Sequence, residues 1–153
     1  MEVIVSINNK DLAGINHLPA EFSRGVEKGM KQAIIFAEER AKVDFTKSRS
    51  AAGGLHVRSG DLKRSIQKGI SKSGDVVTAW LGSNMIYAST HEYGATIIPK
   101  KGKFLKFKGR DGNDVFMKKV VIPERKFLEP GITENINTIT NIIVSNIVRE
   151  ANK

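Results

Sequence analysis

The chain has no cysteine among its 153 residues, which excludes disulfides, thiolate nucleophiles and cysteine-based metal sites. That absence suits a reducing compartment, and it leaves packing and hydrogen bonding to hold the fold. Long apolar runs are also missing. No stretch nears the roughly 18 to 20 residues that cross a bilayer, and residues 1–7 alternate instead of forming the apolar block of a signal peptide. The expectation is a soluble protein, made in a cytoplasm, with no membrane partner. Histidine is scarce as well: His17, His56 and His91 are the only histidine bases, and none sits in a recognisable nucleophile–base–orienter pattern.

Other catalytic signatures fail for specific reasons. His91-Glu92 resembles a metal ligand beside a base, but a helical zinc site needs a second histidine about one turn away, and positions 87 and 95 hold Tyr87 and Ala95. His91 therefore reads as a surface or packing residue. Glu38 and Glu39 are adjacent, so on a helix they diverge by about 100° and do not flank one scissile bond; they read as a solvated face. Gly53-Gly54 and the Gly109–Gly112 stretch lack both the P-loop lysine spacing and the setting of a dinucleotide fingerprint. No enzyme activity, cofactor or metal is expected.

What is present is positive charge, +9 in total, with 40% apolar and 27% charged residues. The balance fits one globular domain spanning 1–153. Such a charge attracts nucleic acid, headgroups or an acidic protein surface. It is concentrated: Lys100, Lys101, Lys103, Lys106, Lys108, Arg110, Lys118, Lys119, Arg125 and Lys126 fall between positions 96 and 126, against Asp111, Asp114 and Glu124.

Periodicity gives a coarse architecture. Val3, Val5 and Ile7 alternate as in a short strand, followed by a turn-rich connection over 8–19. Leu18, Phe22, Val26, Met30, Ala33, Ala37 and Ala41 recur at helical spacing, predicting a long amphipathic helix to about residue 45. Residues 46–54 are small and polar and read as a mobile loop. Ser59 is placed to cap a short helix ending near Ser65. Residues 67–72 and 75–82 predict a hairpin turning at Ser73-Gly74, with Val77, Ala79 and Leu81 on one face. Residues 85–93 are helical in character, and Gly94 is placed to stop them.

Strands at 104–108 and 115–121 flank Gly109 to Asn113, whose Asp111-Gly112 pair favours a tight turn. Ile132, Ile136, Ile139, Ile143 and Ile147 predict a C-terminal amphipathic helix. The fold class is therefore α+β: a mainly antiparallel sheet with a helix from each end packed on one face, and a projecting basic hairpin. In that hairpin Leu105 and Phe107 alternate with Lys106 and Lys108. The pattern puts the apolar pair against the sheet and the lysines toward solvent or an acidic partner, ahead of a single-strand nucleic-acid surface.

Three blocks, in order and at family spacing, resemble the phage virion morphogenesis and tail-completion proteins, which include minor tail and neck components of long-tailed phages. They are Arg58-Ser59-Gly60-Asp61-Leu62-Lys63-Arg64-Ser65-Ile66, then Tyr87-Ala88 with His91-Glu92-Tyr93-Gly94-Ala95-Thr96-Ile97, then Ile122-Pro123-Glu124-Arg125-Lys126-Phe127-Leu128-Glu129-Pro130. Lys126 departs from the family's usual proline. The resemblance covers about residues 57–132.

It implies a non-enzymatic virion protein at the head-to-tail junction, assembled in the host cytoplasm. Such a subunit would form a ring with itself, sixfold by family expectation, and contact connector, tail-terminator or tail-tube neighbours. The ring would surround the DNA channel without sequence-specific DNA binding. The basic residues from Lys100 to Lys119 are the candidate partner surface. Arg58, Ser59, Gly60, Leu62, Tyr87, His91, Glu92, Gly94, Pro123, Arg125, Phe127 and Leu128 are the family-motif positions. For Leu62, Gly94 and Phe127, holding the monomer together is favoured over touching a partner. The alternatives are a tail terminator capping the tube and, in another class, a DNA-binding module using the basic hairpin.

Overall fold

The computed structural model describes residues 2–8, 19–47, 52–74, 76–109 and 111–153. His17, Leu18, Asp75 and Arg110 lie outside the described residues, as do most of the connection expected over 8–19 and part of the loop expected over 46–54.

Helix α1 (Ala20–Val43) carries much of the core. Its buried residues Gly25, Gly29, Ala33, Ala37 and Ala41 recur every fourth position, leaving a shallow channel along one side. Helix α5 (Ile136–Ala151) lies in that channel and runs antiparallel to α1. A Cβ on Gly25 would stand 2.6 Å from the Ile147 Cα, and one on Gly29 2.7 Å from the Ile143 Cα. The two backbones approach this closely only because neither position carries a side chain. Farther along, Gly131 of α4 (Glu129–Thr133) packs on the same stripe, where its own Cβ would lie 2.9 Å from the Ala37 carbonyl oxygen.

Polar groups fasten the helix pair at one end. Glu150 of α5 accepts from Lys28 at 2.9 Å and from Lys153 at 2.6 Å, and Asn146 donates to Gln32 at 2.8 Å. The isoleucine repeat is divided where one helix was expected. Ile132 belongs to α4, and the chain turns at Glu134-Asn135 before α5 begins. The Asn135 side chain donates to the carbonyls of Pro130 and Gly131 at 3.3 and 3.2 Å, satisfying helix-end acceptors that a continuous helix would have used.

The main sheet has strand order β1-β3-β2, all antiparallel: β1 (Glu2–Asn8), β2 (Ile66–Ser73) and β3 (Val76–Ser83). Its inner face presents Val77, Ala79 and Leu81, as the alternation predicts, and α1 crosses β2 and β3 there. On β2 the same face alternates Ile66, Lys68, Ile70 and Lys72. Lys68 pairs with Glu38 of α1, and Lys72 reaches Glu27 at 3.5 Å. Glu38 is thus no simple solvated residue: it also takes Lys42 at 2.8 Å, while Glu39 does face solvent. Burial would raise the Glu38 carboxyl, but the hydrogen bonds from Lys42 and Lys68 prevail and hold it below the usual range. On the outer face Trp80 lies across Gly69, where a Cβ would come within 2.3 Å of the indole.

The α+β class stands, with one difference of layering: α5 makes its extensive contacts with α1 instead of lying directly on the sheet. Two smaller sheets follow. Strand β4 (Ala95–Ile97) pairs with β7 (Val120–Ile122), and β5 (Leu105–Lys108) pairs with β6 (Asp114–Met117). The single strand expected over 115–121 is therefore two, separated at Lys118-Lys119. Alternation runs through the whole stretch, and nothing local reveals that its halves pair with different neighbours.

Candidate functional site

The three motif blocks converge. Helix α3 (Ala88–Tyr93) ends at Gly94, whose φ of +69° and ψ of 167° suit glycine alone. A Cβ there would stand 2.9 Å from the Glu124 nitrogen, so the bare backbone lets the irregular segment after β7 fold tightly over the helix end. The Arg125 N–H donates to the His91 carbonyl at 2.7 Å. Beneath it the fully buried Glu92 carboxylate accepts three backbone N–H groups: Phe127 at 2.8 Å, Leu128 at 3.0 Å and Glu129 at 2.8 Å. Such charge-assisted bonds satisfy the free donors at the start of α4. With both oxygens so engaged, Glu92 serves neither as a base nor as a metal ligand.

Phe127 and Leu128 are buried below, and Phe127 meets Phe45 edge-on at 5.4 Å. Lys126 makes an ion pair with Glu129 at 2.8 Å, which raises its pKa. Pro123 is exposed, and Leu62 and Phe127 are core residues.

Above this clasp lies a groove of about 510 Å³. Its walls are residues 55–63 on one side and Tyr87, His91 and Arg125 on the other, with Phe45, Leu55 and Leu62 in its floor. Residues 58–60 turn sharply to form the rim. Ser59 does not sit at the cap position of α2 (Asp61–Arg64); Gly60 does, at φ +81°. The Ser59 hydroxyl instead accepts the Asp61 N–H at 3.3 Å and donates to the Asp61 carboxylate, which also takes Arg64. Those bonds, Ser59's first, hold the Asp61 carboxyl below its ordinary range.

Tyr87 meets the His91 ring edge-on at 5.9 Å. Burial, and then the nearby Arg125 charge, lower the His91 pKa and so favour the neutral ring. Among the described residues, its buried Nδ1 has no hydrogen-bond partner.

The basic segment forms a separate surface. The β5–β6 hairpin makes its extensive contacts only within itself and stands off the core. Leu105 and Phe107 were expected against the sheet; Leu105 and Val115 are half-buried, while the rest of the apolar side chains of the ribbon are largely open. Phe107 is 42% exposed, Met117 44% and Phe116 60%. Cross-strand pairing puts Leu105, Phe107, Val115 and Met117 on one face, with Lys106, Lys108, Asp114 and Phe116 on the other. Asp114 receives both Lys106 and Lys108 at 2.9 Å, which lowers its pKa, and Lys106 also lies over the Phe116 ring. Lys100, Lys101, Lys103, Lys118 and Lys119 are exposed, and among the described residues none has a carboxylate partner.

Comparison with family models, with curated proteins and with solved structures finds no match.

The structure thus brings Arg58, Ser59, Gly60, Leu62, Tyr87, His91 and Arg125 around one groove, while the hairpin lysines form a different surface. Sequence reading missed the function of Glu92, whose three partners lie 35 to 37 positions away. It also missed the Gly25–Gly29 contact, for which the four-residue spacing of small residues was the available signal.

Proposed function

We propose that this chain is a non-enzymatic structural subunit of a tailed bacteriophage, forming a ring at the head-to-tail junction as a tail-completion protein. The three sequence blocks support the family. The observation that carries the structural role is the β5–β6 hairpin, with its uncovered Phe107, Phe116 and Met117 and its surrounding lysines. A two-stranded ribbon is marginal by itself in water, so its apolar face gains stability by burial against something else. A ring supplies that burial, because each copy offers one patch to a different patch on the next. The exposed lysines then steer docking onto an acidic neighbouring ring.

The DNA-binding alternative is weakened by Asp114, which draws Lys106 and Lys108 back from any phosphate. A tail terminator shares the subunit's class and differs only in its position.

Electron cryo-microscopy of intact particles, at side-chain resolution, tests the reading. Density for this chain as a ring between the portal side and the tail tube is the expected result. A ring lying directly on the tube would assign the terminator role, and absence from the particle would overturn the structural role altogether.

A further inference from the structure

The groove between the turn at 58–60 and Arg125 is distinct from the hairpin, and its chemistry can be read independently of whether the chain forms a ring. Its rim is positive. Arg58 and Lys63 stand at one side and Arg125 at the other, and among the described residues Arg58 and Lys63 have no carboxylate within 4.0 Å. Arg125 gives only its Nε, to the Ala52 carbonyl at 3.3 Å. The one acid in the lining, Asp61, is occupied by Ser59 and Arg64. The floor, by contrast, is apolar.

We propose that this groove binds an acidic peptide segment of another protein, seating one apolar side chain on Phe45, Leu55 and Leu62 while flanking carboxylates meet Arg58, Lys63 and Arg125. Charge complementarity sets the sign of the occupant, since three cations converge with no free acid between them. The floor sets its class. A nucleic-acid backbone would engage the rim and leave the apolar surface wet, whereas a peptide fills both at once. A compact metabolite is disfavoured because such sites fix their ligand with several precisely placed polar groups, while here the polar groups are cations at the rim of an apolar floor. At about 510 Å³ the groove has room for a few residues, within the range of sites that enclose a ligand.

The test is selection of a displayed library of random twelve-residue peptides on the intact chain. The expected winners carry acidic residues around a single Leu, Ile, Met or Phe. A synthetic peptide of the leading sequence should shift the amide signals of residues 57–63, 87–91 and 125, and bind at least tenfold more weakly to the R58E/K63E variant. Both positions are at the surface edge of the groove, so an unchanged circular-dichroism melt establishes that this variant is folded. A K103E/K106E variant should bind as the parent does. No enrichment, enrichment of peptides without acids, or equal loss in the hairpin variant would overturn the proposal. Displacement of the peptide by a duplex DNA oligonucleotide that shifts the same amides would assign the groove to nucleic acid instead.

Discussion

Glu92 accepts the backbone N–H of Phe127 at 2.8 Å, joining the end of α3 to the start of α4 through the middle of the core. The same carboxylate holds Leu128 and Glu129, so three donors depend on one side chain. Replacing Glu92 with Gln keeps the shape but removes the charge and turns one oxygen into a donor facing N–H groups. The expected loss is about 2 to 4 kcal/mol, since a bond to a charged group contributes about 1.5–3 kcal/mol and a buried group left unmatched costs more. Urea denaturation of E92Q measures it, and a change under 0.5 kcal/mol would show that the clasp contributes little.

Gly29→Ala ought to stabilise an isolated helix by nearly 1 kcal/mol from propensity alone. Here the new Cβ would fall 2.7 Å from the Ile143 Cα. Overpacking of this kind typically costs about 1–3 kcal/mol, so the net prediction is destabilisation. Thermal melts of G29A measure the net effect, and a variant as stable as the parent would show that the helix pair relaxes around the added methyl.

Hydrogen bonds from Lys153 and Lys28 hold the Glu150 carboxyl at about 2, against an ordinary 4.5. The folded value lies below the unfolded one, so this contribution is complete above about pH 4.5 and is lost as the pH falls toward 2. An E150Q variant should be less stable than the parent at neutral pH, and the gap should narrow on acidification. Denaturation midpoints across that range decide it; a constant gap would mean that the lysine contacts do not set the titration.

The hairpin predicts the opposite kind of result. Because Phe107 and Met117 are 42% and 44% exposed, changing both to serine should move monomer stability by no more than about 1 kcal/mol, about 0.5 for each. If the ribbon is an assembly surface, the same variant should lose self-association by native mass spectrometry. On the same reading, reversing charge at Lys103, Lys118 and Lys119, which pair with no carboxylate among the described residues, should block particle assembly while leaving the melt unchanged.

Legibility from sequence followed the range of each interaction. The amphipathic period located α1 and α5, and alternation with a Ser73-Gly74 turn placed β2 and β3 within about a residue of their observed bounds. Gly94 was readable as a stop because its backbone requirement is local. Two of the failures were matters of pairing. Residues 115–121 alternate without revealing that β7 leaves β6 to join β4, and nothing adjacent to Glu92 names its three distant donors. The groove was invisible for the same reason. Its motif residues were identified one block at a time, and only the fold sets Arg58 across from Arg125.

The stripe of small residues on α1 also bears on the order in which the fold can be completed. Gly25 and Gly29 are among the first residues of the helix, yet the surface they fit belongs to Ile143 and Ile147, more than a hundred positions later. Closing so long an intervening loop is entropically costly and slow compared with forming the β2–β3 hairpin. During synthesis α1 therefore waits with its seam open while everything between is made. A chain lacking α5 leaves that seam uncovered, with the bare backbone at Gly25 and Gly29 open to solvent.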